Sequence, residues 1–162
     1  MKYFENIFYF VNYVVPIIAG LFILWAAFKT TKTARLLCAI LFGCTCWVNY
    51  HTASTNPEVY LFYARSSMPW YSSFIEGWFK DHTTAFVEFI ATGQGLIAIG
   101  LMLNKWWVRL ACIGIIIFLI AIAPLGYSIF IFSVLVSIAA ALILKNDDLD
   151  YLWKFKENFQ NT

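Results

Sequence analysis

Trp106-Trp107-Val108-Arg109-Leu110 opens a stretch that continues as ACIGIIIFLIAIAPLGYSIFIFSVLVSIAAALIL from Ala111 to Leu144, and Arg109 is the only charge in it. As one helix it would be about 58 Å long at 1.5 Å per residue, close to twice the roughly 30 Å hydrocarbon core of a bilayer. Pro124-Leu125-Gly126 stands in the middle. Proline removes a backbone donor from the helical ladder and glycine tolerates the turn that follows. The stretch therefore reads as two membrane-crossing helices, 106–123 and 127–144, joined by a tight hairpin.

Three more apolar runs lie upstream, at 7–28, 34–50 and 83–103. A helix needs about 20 apolar residues to span, so the chain reads as an all-α, polytopic membrane bundle of about five transmembrane helices. Composition agrees. Of 162 residues, 62% are hydrophobic and 12% charged, against roughly 45–50% and about 25% in soluble domains. A soluble fold has no place for that much apolar surface, whereas lipid places no penalty on it. The whole chain, 1–162, reads as a single membrane domain. Its first residues, Met1-Lys2-Tyr3-Phe4-Glu5, offset one lysine with a glutamate, and no small-residue cleavage site follows. They read as part of a retained helix, not a signal peptide.

Orientation follows from lysine and arginine. Lys29, Lys32, Arg35, Lys105, Arg109, Lys145, Lys154 and Lys156 share one side of an alternating five-helix chain, while Lys2, Arg65 and Lys80 fall on the other. This places the N-terminus outside and the C-terminus in the cytoplasm of a multi-pass inner-membrane protein. Residues 51–82 become an outer loop too rich in aromatics for a flexible linker, expected to fold over the bundle mouth or lie in the interface. Residues 145–162 become a cytoplasmic tail in which Leu149, Leu152, Trp153, Lys156 and Phe159 have the spacing of an amphipathic helix.

Polar residues inside apolar helices are the candidates for function. Glu88 lies in Phe86-Val87-Glu88-Phe89-Ile90, and burying an acid there costs roughly 2.5–3.5 kcal/mol on insertion scales. It reads either as a proton carrier or as a structural hydrogen-bond partner. His51, at a similar depth on the second helix, is positioned to pair with it for proton transfer or to sit solvated at the interface. Asn49, Arg65 and Gln94 are the candidates for holding a substrate, although Gln94 points about 120° away from Glu88 on a 3.6-residue helix. His51 and His82 could together hold haem or a metal, but solvation at a loop boundary is the expectation for His82. Cys44 and Cys46 point in opposing directions on a helix and read as packing residues. The net charge of +2 and the lack of a basic patch give no footing for nucleic acid. The lipid bilayer is the partner the composition requires, and the aromatic outer loop is the surface on which a second membrane protein would dock.

The order of several short elements resembles the DoxX-like family of small helical membrane proteins. Asn56-Pro57-Glu58-Val59-Tyr60 precedes Met68-Pro69-Trp70-Tyr71. Phe86-Val87-Glu88 leads into Gly93-Gln94-Gly95-Leu96-Ile97-Ala98-Ile99-Gly100-Leu101, and Arg109-Leu110-Ala111 follows. The resemblance covers about residues 36–144. It implies a four-helix core and an association with quinone-linked redox systems, either as a subunit beside a quinone or as an accessory and assembly protein. This chain departs from the pattern by one additional N-terminal helix and by its long aromatic outer loop. Glu88 falls on the family's helix glutamate, and the resemblance assigns it no catalytic role.

Overall fold

A computed structural model describes residues 14–154. They form helices α1 (Val15–Lys29), α2 (Thr31–Thr55), α3 (Pro69–Phe74), α4 (Lys80–Met102), α5 (Lys105–Ile122) and α6 (Tyr127–Asn146). Two 3₁₀ turns, Pro57–Arg65 and Ala123–Leu125, and a π turn, Ile75–Phe79, complete the order. No strand is present among the described residues. Among the described residues four helical runs are long and apolar enough to cross a membrane: Thr31–Thr55, Pro69–Met102, Lys105–Leu125 and Tyr127–Asn146. α1 is apolar too, but its 15 described residues fall short of a span. The earlier part of the expected first helix lies outside the described residues.

Proline punctuates the chain. Pro16 sits in the first turn of α1, where its missing N–H costs nothing. Asn56, held off the helical region by Pro57, ends α2. The α5–α6 hairpin turns at Pro124, and Gly126 is fully extended. The run from Pro69 to Met102 is not straight, because Gly77 and His82 leave helical geometry. The 51–82 segment differs from the loop read in the sequence. α2 continues to Thr55, and the rest is helical turns laid over one end of the bundle. Its aromatic side chains give it a core of its own, with Ile75 and Phe79 buried beside Ala53, Ala64 and Val87.

The helices form a ring in the order α1, α2, α4, α5, α6, with α6 returning to α1. Small residues set the spacing. A Cβ on Gly100 would lie 3.0 Å from Ala111 Cβ and 3.2 Å from the Trp107 carbonyl oxygen, so α4 and α5 are in backbone contact there. The outside of the ring is apolar: Trp47, Phe89, Leu96, Ile117 and Ile120 are each more than 60% exposed. Contiguous exposure of that kind is tolerated where lipid is the solvent.

The end opposite the cap is closed by charge. Arg35, fully buried, donates from Nε to the Leu101 carbonyl at 2.7 Å and from Nη1 to Asp147 Oδ1 at 2.8 Å. Its Nη2 donates to the carbonyls of Leu103 at 2.7 Å and Asp150 at 2.8 Å. One guanidinium thus ties α2, the end of α4 and the chain after α6. Lys32 adds an ion pair to Asp148 at 3.3 Å.

The expected amphipathic helix is not found at 147–154, which is strap-like and non-helical. Asp147 Oδ1 accepts the Leu149 N–H and Asp148 Oδ1 accepts the Asp150 N–H. Such short-range bonds compete with helix formation. Leu149 adopts φ 55, and its carbonyl accepts the N–H of Lys105, which has φ 42, at 2.6 Å. Leu149 is thereby buried in the bundle core. Residues 155–162, with Lys156 and Phe159, lie outside the described residues.

Candidate functional site

Inside the ring, under the cap, lies a cavity of about 420 Å³. Its wall is built at helical spacing. α2 contributes Leu41, Phe42, Thr45 and Asn49, and α4 contributes Phe86, Val87, Ile90 and Gln94. α5 and α6 add Phe118, Leu119, Ile122 and Phe132. The 3₁₀ turn supplies Tyr60 and Tyr63, which eclipse each other on a three-residue period. Tyr71, Phe74, Ile75 and Phe79 close the top. Among the described residues no Asp, Glu, Lys, Arg or His lines it.

The polar lining is neutral and concentrated. Asn49 Nδ2 donates to Gln94 Oε1 at 2.9 Å, and the Tyr60 hydroxyl donates to Asn49 Oδ1 at 2.9 Å. Tyr71 donates to the Ala121 carbonyl at 3.1 Å and Thr45 to the Phe42 carbonyl at 3.2 Å. Gln94 is only 3% exposed, so this amide is held away from bulk water. Burial pushes the Tyr60 and Tyr63 hydroxyls above their ordinary value of 10.0. Both are therefore neutral donors near pH 7.

The five residues singled out from the sequence separate into two groups. Asn49 and Gln94 meet in the cavity wall. Glu88, His51 and Arg65 stand outside it. Glu88 is half-buried on the α2 side of α4, where Ser54 Oγ lies 3.4 Å from Oε1. His51 is exposed, and no hydrogen bond or ion pair joins it to Glu88. Arg65 is exposed, with its guanidinium 5.2 Å from the Phe62 ring centroid. His82 stacks on Trp78 at 4.5 Å, and its Nδ1 lies 2.9 Å from the Trp78 carbonyl oxygen. No cluster of three or more metal-ligating residues occurs among the described residues. Cys44 and Cys46 are free thiols, the first exposed and the second half-buried.

Sequence reasoning missed Tyr60, Tyr63 and Tyr71 as site residues. Their signal was present: three tyrosines in a segment whose aromatic content does not suit a solvated loop. The buried Arg35 was also missed, because it was counted only as one of several loop cations. Its signal was the acidic Asp147-Asp148 and Asp150 at the far end of the chain. The chain matches no protein-family model, no curated protein and no solved structure.

Proposed function

We propose that this chain is a DoxX-like membrane protein that holds a lipid-soluble, ring-headed molecule of the quinone class in the cavity between its helices, as an accessory subunit of a quinone-linked redox system. The observation that carries this reading is the cavity itself: about 420 Å³, aromatic and aliphatic throughout, with one neutral hydrogen-bonding patch at Asn49, Gln94 and Tyr60. Binding sites for small organic molecules have this build, in volumes of about 300–1,000 Å³. A planar ring suits the Phe42–Phe118 edge-to-face pair and the aromatic cap above it. A charged ligand would find no counter-ion among the described lining residues. With Glu88 and His51 outside the wall, the reading assigns the cavity binding and orientation, and assigns proton transfer to neither residue.

The proposed orientation puts the cap outside. Lys29, Lys32, Lys105 and Lys145 gather at the strap end, and of the described cations only Arg65 and Lys80 stand near the cap. Organic extraction of protein purified in mild detergent tests the function. A quinone is expected at near-stoichiometric yield, and Ala19→Phe, which fills the cavity wall on α1, is expected to abolish its retention. Equal retention by the filled variant would show that any quinone comes from detergent-bound lipid.

A second reading rests on a different observation. The cap exposes Phe62, Met68, Trp70 and Trp78, each more than half accessible. Tryptophans there suit the membrane interface and equally suit a docked membrane protein. A stoichiometric partner lost in Trp70→Ser/Trp78→Ser, with no quinone in either preparation, would favour an interaction module over a ligand-holding one.

A further inference from the structure

At the polar patch of the cavity the hydrogen bonds run in one direction, from Tyr60 through Asn49 to Gln94. The Tyr60 hydroxyl lies 2.9 Å from Asn49 Oδ1 and 3.4 Å from the Asn49 carbonyl oxygen. Its proton belongs on the nearer acceptor. With Asn49 Oδ1 turned to Tyr60, Nδ2 faces Gln94 and donates to its Oε1 at 2.9 Å. The Gln94 oxygen is thus engaged, while Gln94 Nε2 makes no hydrogen bond to the described residues. A side chain 97% buried, lining the cavity, ends the chain with N–H groups to offer. Tyr63, also in the lining, offers a second neutral O–H. Thr45 and Tyr71 have committed their protons to backbone carbonyls.

We infer that Gln94 is the specificity-determining residue of the cavity and that it favours a head group bearing only acceptors, the carbonyl oxygens of an oxidised quinone, over the hydroxyls of the hydroquinone. The inference rests on the proposed ligand class and adds the form in which that ligand is held. A hydroquinone hydroxyl brings a donor against a donor, and it can accept from Gln94 only by turning its own proton to another acceptor. For that the lining offers only the hydroxyl oxygens of Thr45, Tyr60, Tyr63 and Tyr71 and the Asn49 side-chain oxygen already engaged by Tyr60. A buried donor left unmatched is penalised by its full desolvation, so the preference comes as much from rejecting the reduced form as from binding the oxidised one. At equilibrium the site therefore holds the oxidised form in preference to the reduced one.

Three probes of one shape decide the matter: a decyl-substituted benzoquinone, its hydroquinone kept reduced, and decylbenzene. Dissociation constants would be measured by calorimetry on the full chain at one fixed detergent concentration. The benzoquinone is expected to bind about tenfold more tightly than the other two, the size of one well-made neutral hydrogen bond. Gln94→Met is expected to remove that preference, bringing the dissociation constants of benzoquinone and decylbenzene together. Tyr60→Phe, which frees the Asn49 amide to turn, is expected to narrow it and serves if Gln94→Met does not purify as a monodisperse, helical protein. No binding of any probe would overturn the quinone-class reading itself. Equal binding of all three, or preference for the hydroquinone, would leave a ligand-holding cavity and overturn the role given to Gln94.

Discussion

Replacing Arg35 with methionine should be among the most destabilising single changes in this protein. Met keeps much of the aliphatic stem and removes the guanidinium. Four hydrogen bonds disappear together, to the carbonyls of Leu101, Leu103 and Asp150 and to Asp147 Oδ1. The Asp147 side chain, like that of Arg35, is wholly buried. Its Oδ2 has no hydrogen-bond partner in the structure, and without Arg35 only the Leu149 N–H would remain on Oδ1. Removing one member of a buried ion pair costs about 3–5 kcal/mol, because the other charge is left uncompensated. The orphaned carbonyls act in the same direction, yet they lie at chain turns where water can reach them once the strap loosens, so the sum stays near that range. Lys105 and Leu149, both non-glycine residues at positive φ, sit in the segment that these contacts, the Lys105–Leu149 hydrogen bond and the burial of Leu149 hold in place. The strap should therefore come free as a unit.

Thermal unfolding in detergent micelles, followed by circular dichroism, measures the loss. Proteolysis at 147–154 reports the release of the strap. Arg35→Met/Asp147→Leu should recover much of the stability, since replacing both charges by apolar groups is far less costly than stranding one. Loss of less than about 1 kcal/mol in Arg35→Met, the level of an exposed ion pair, would refute the argument. A double variant no better than the single would refute it as well.

Gly100→Val should destabilise by about 1–3 kcal/mol through overpacking, because its Cβ would meet Ala111 at 3.0 Å and the Trp107 backbone at 3.2 Å. Gly93→Ala, with open space around the new Cβ, should be neutral or stabilising by up to about 1 kcal/mol from helix propensity; the same melting assay compares them. Glu88→Gln should leave quinone retention unchanged, since Glu88 does not line the cavity, and loss of retention on extraction would return this residue to the site. Tyr60 and Tyr63 have raised hydroxyl values, so the unfolded phenols ionise first. The folded state should lose stability as pH rises above about 10 and be insensitive to these groups at neutral pH. Ultraviolet titration should show a late-ionising fraction that shrinks in Tyr60→Phe and Tyr63→Phe.

The helices were legible because their signals are local. Pro124 and Gly126 mark the α5–α6 hairpin, and the length of each apolar run bounds its helix. Asn49 and Gln94 were legible as polar residues set among apolar ones. What joins them was not. A sequence read by depth places His51 level with Glu88, but a pair forms only if both side chains face the same neighbour. That depends on how α2 and α4 are rotated against each other, and the rotation is set by close contacts such as Gly95 against Cys46 Sγ. The same limit hid Arg35. Counting cations on one side of a membrane treats an exposed lysine and a buried arginine alike, and its partner Asp147 lies more than 100 positions away in the chain. The tail was misread because its apolar spacing fits a helix while its aspartates favour side-chain-capped turns.

A density map of the full chain in lipid nanodiscs, prepared without added ligand, tests the central claim most directly. The account predicts a flat, elongated non-protein feature inside the helix ring beneath Tyr71 and Phe74, with one end at hydrogen-bonding distance from Gln94. A ring interior that is collapsed and dry, with Asn49 and Gln94 bonded only to each other and to Tyr60, would contradict it.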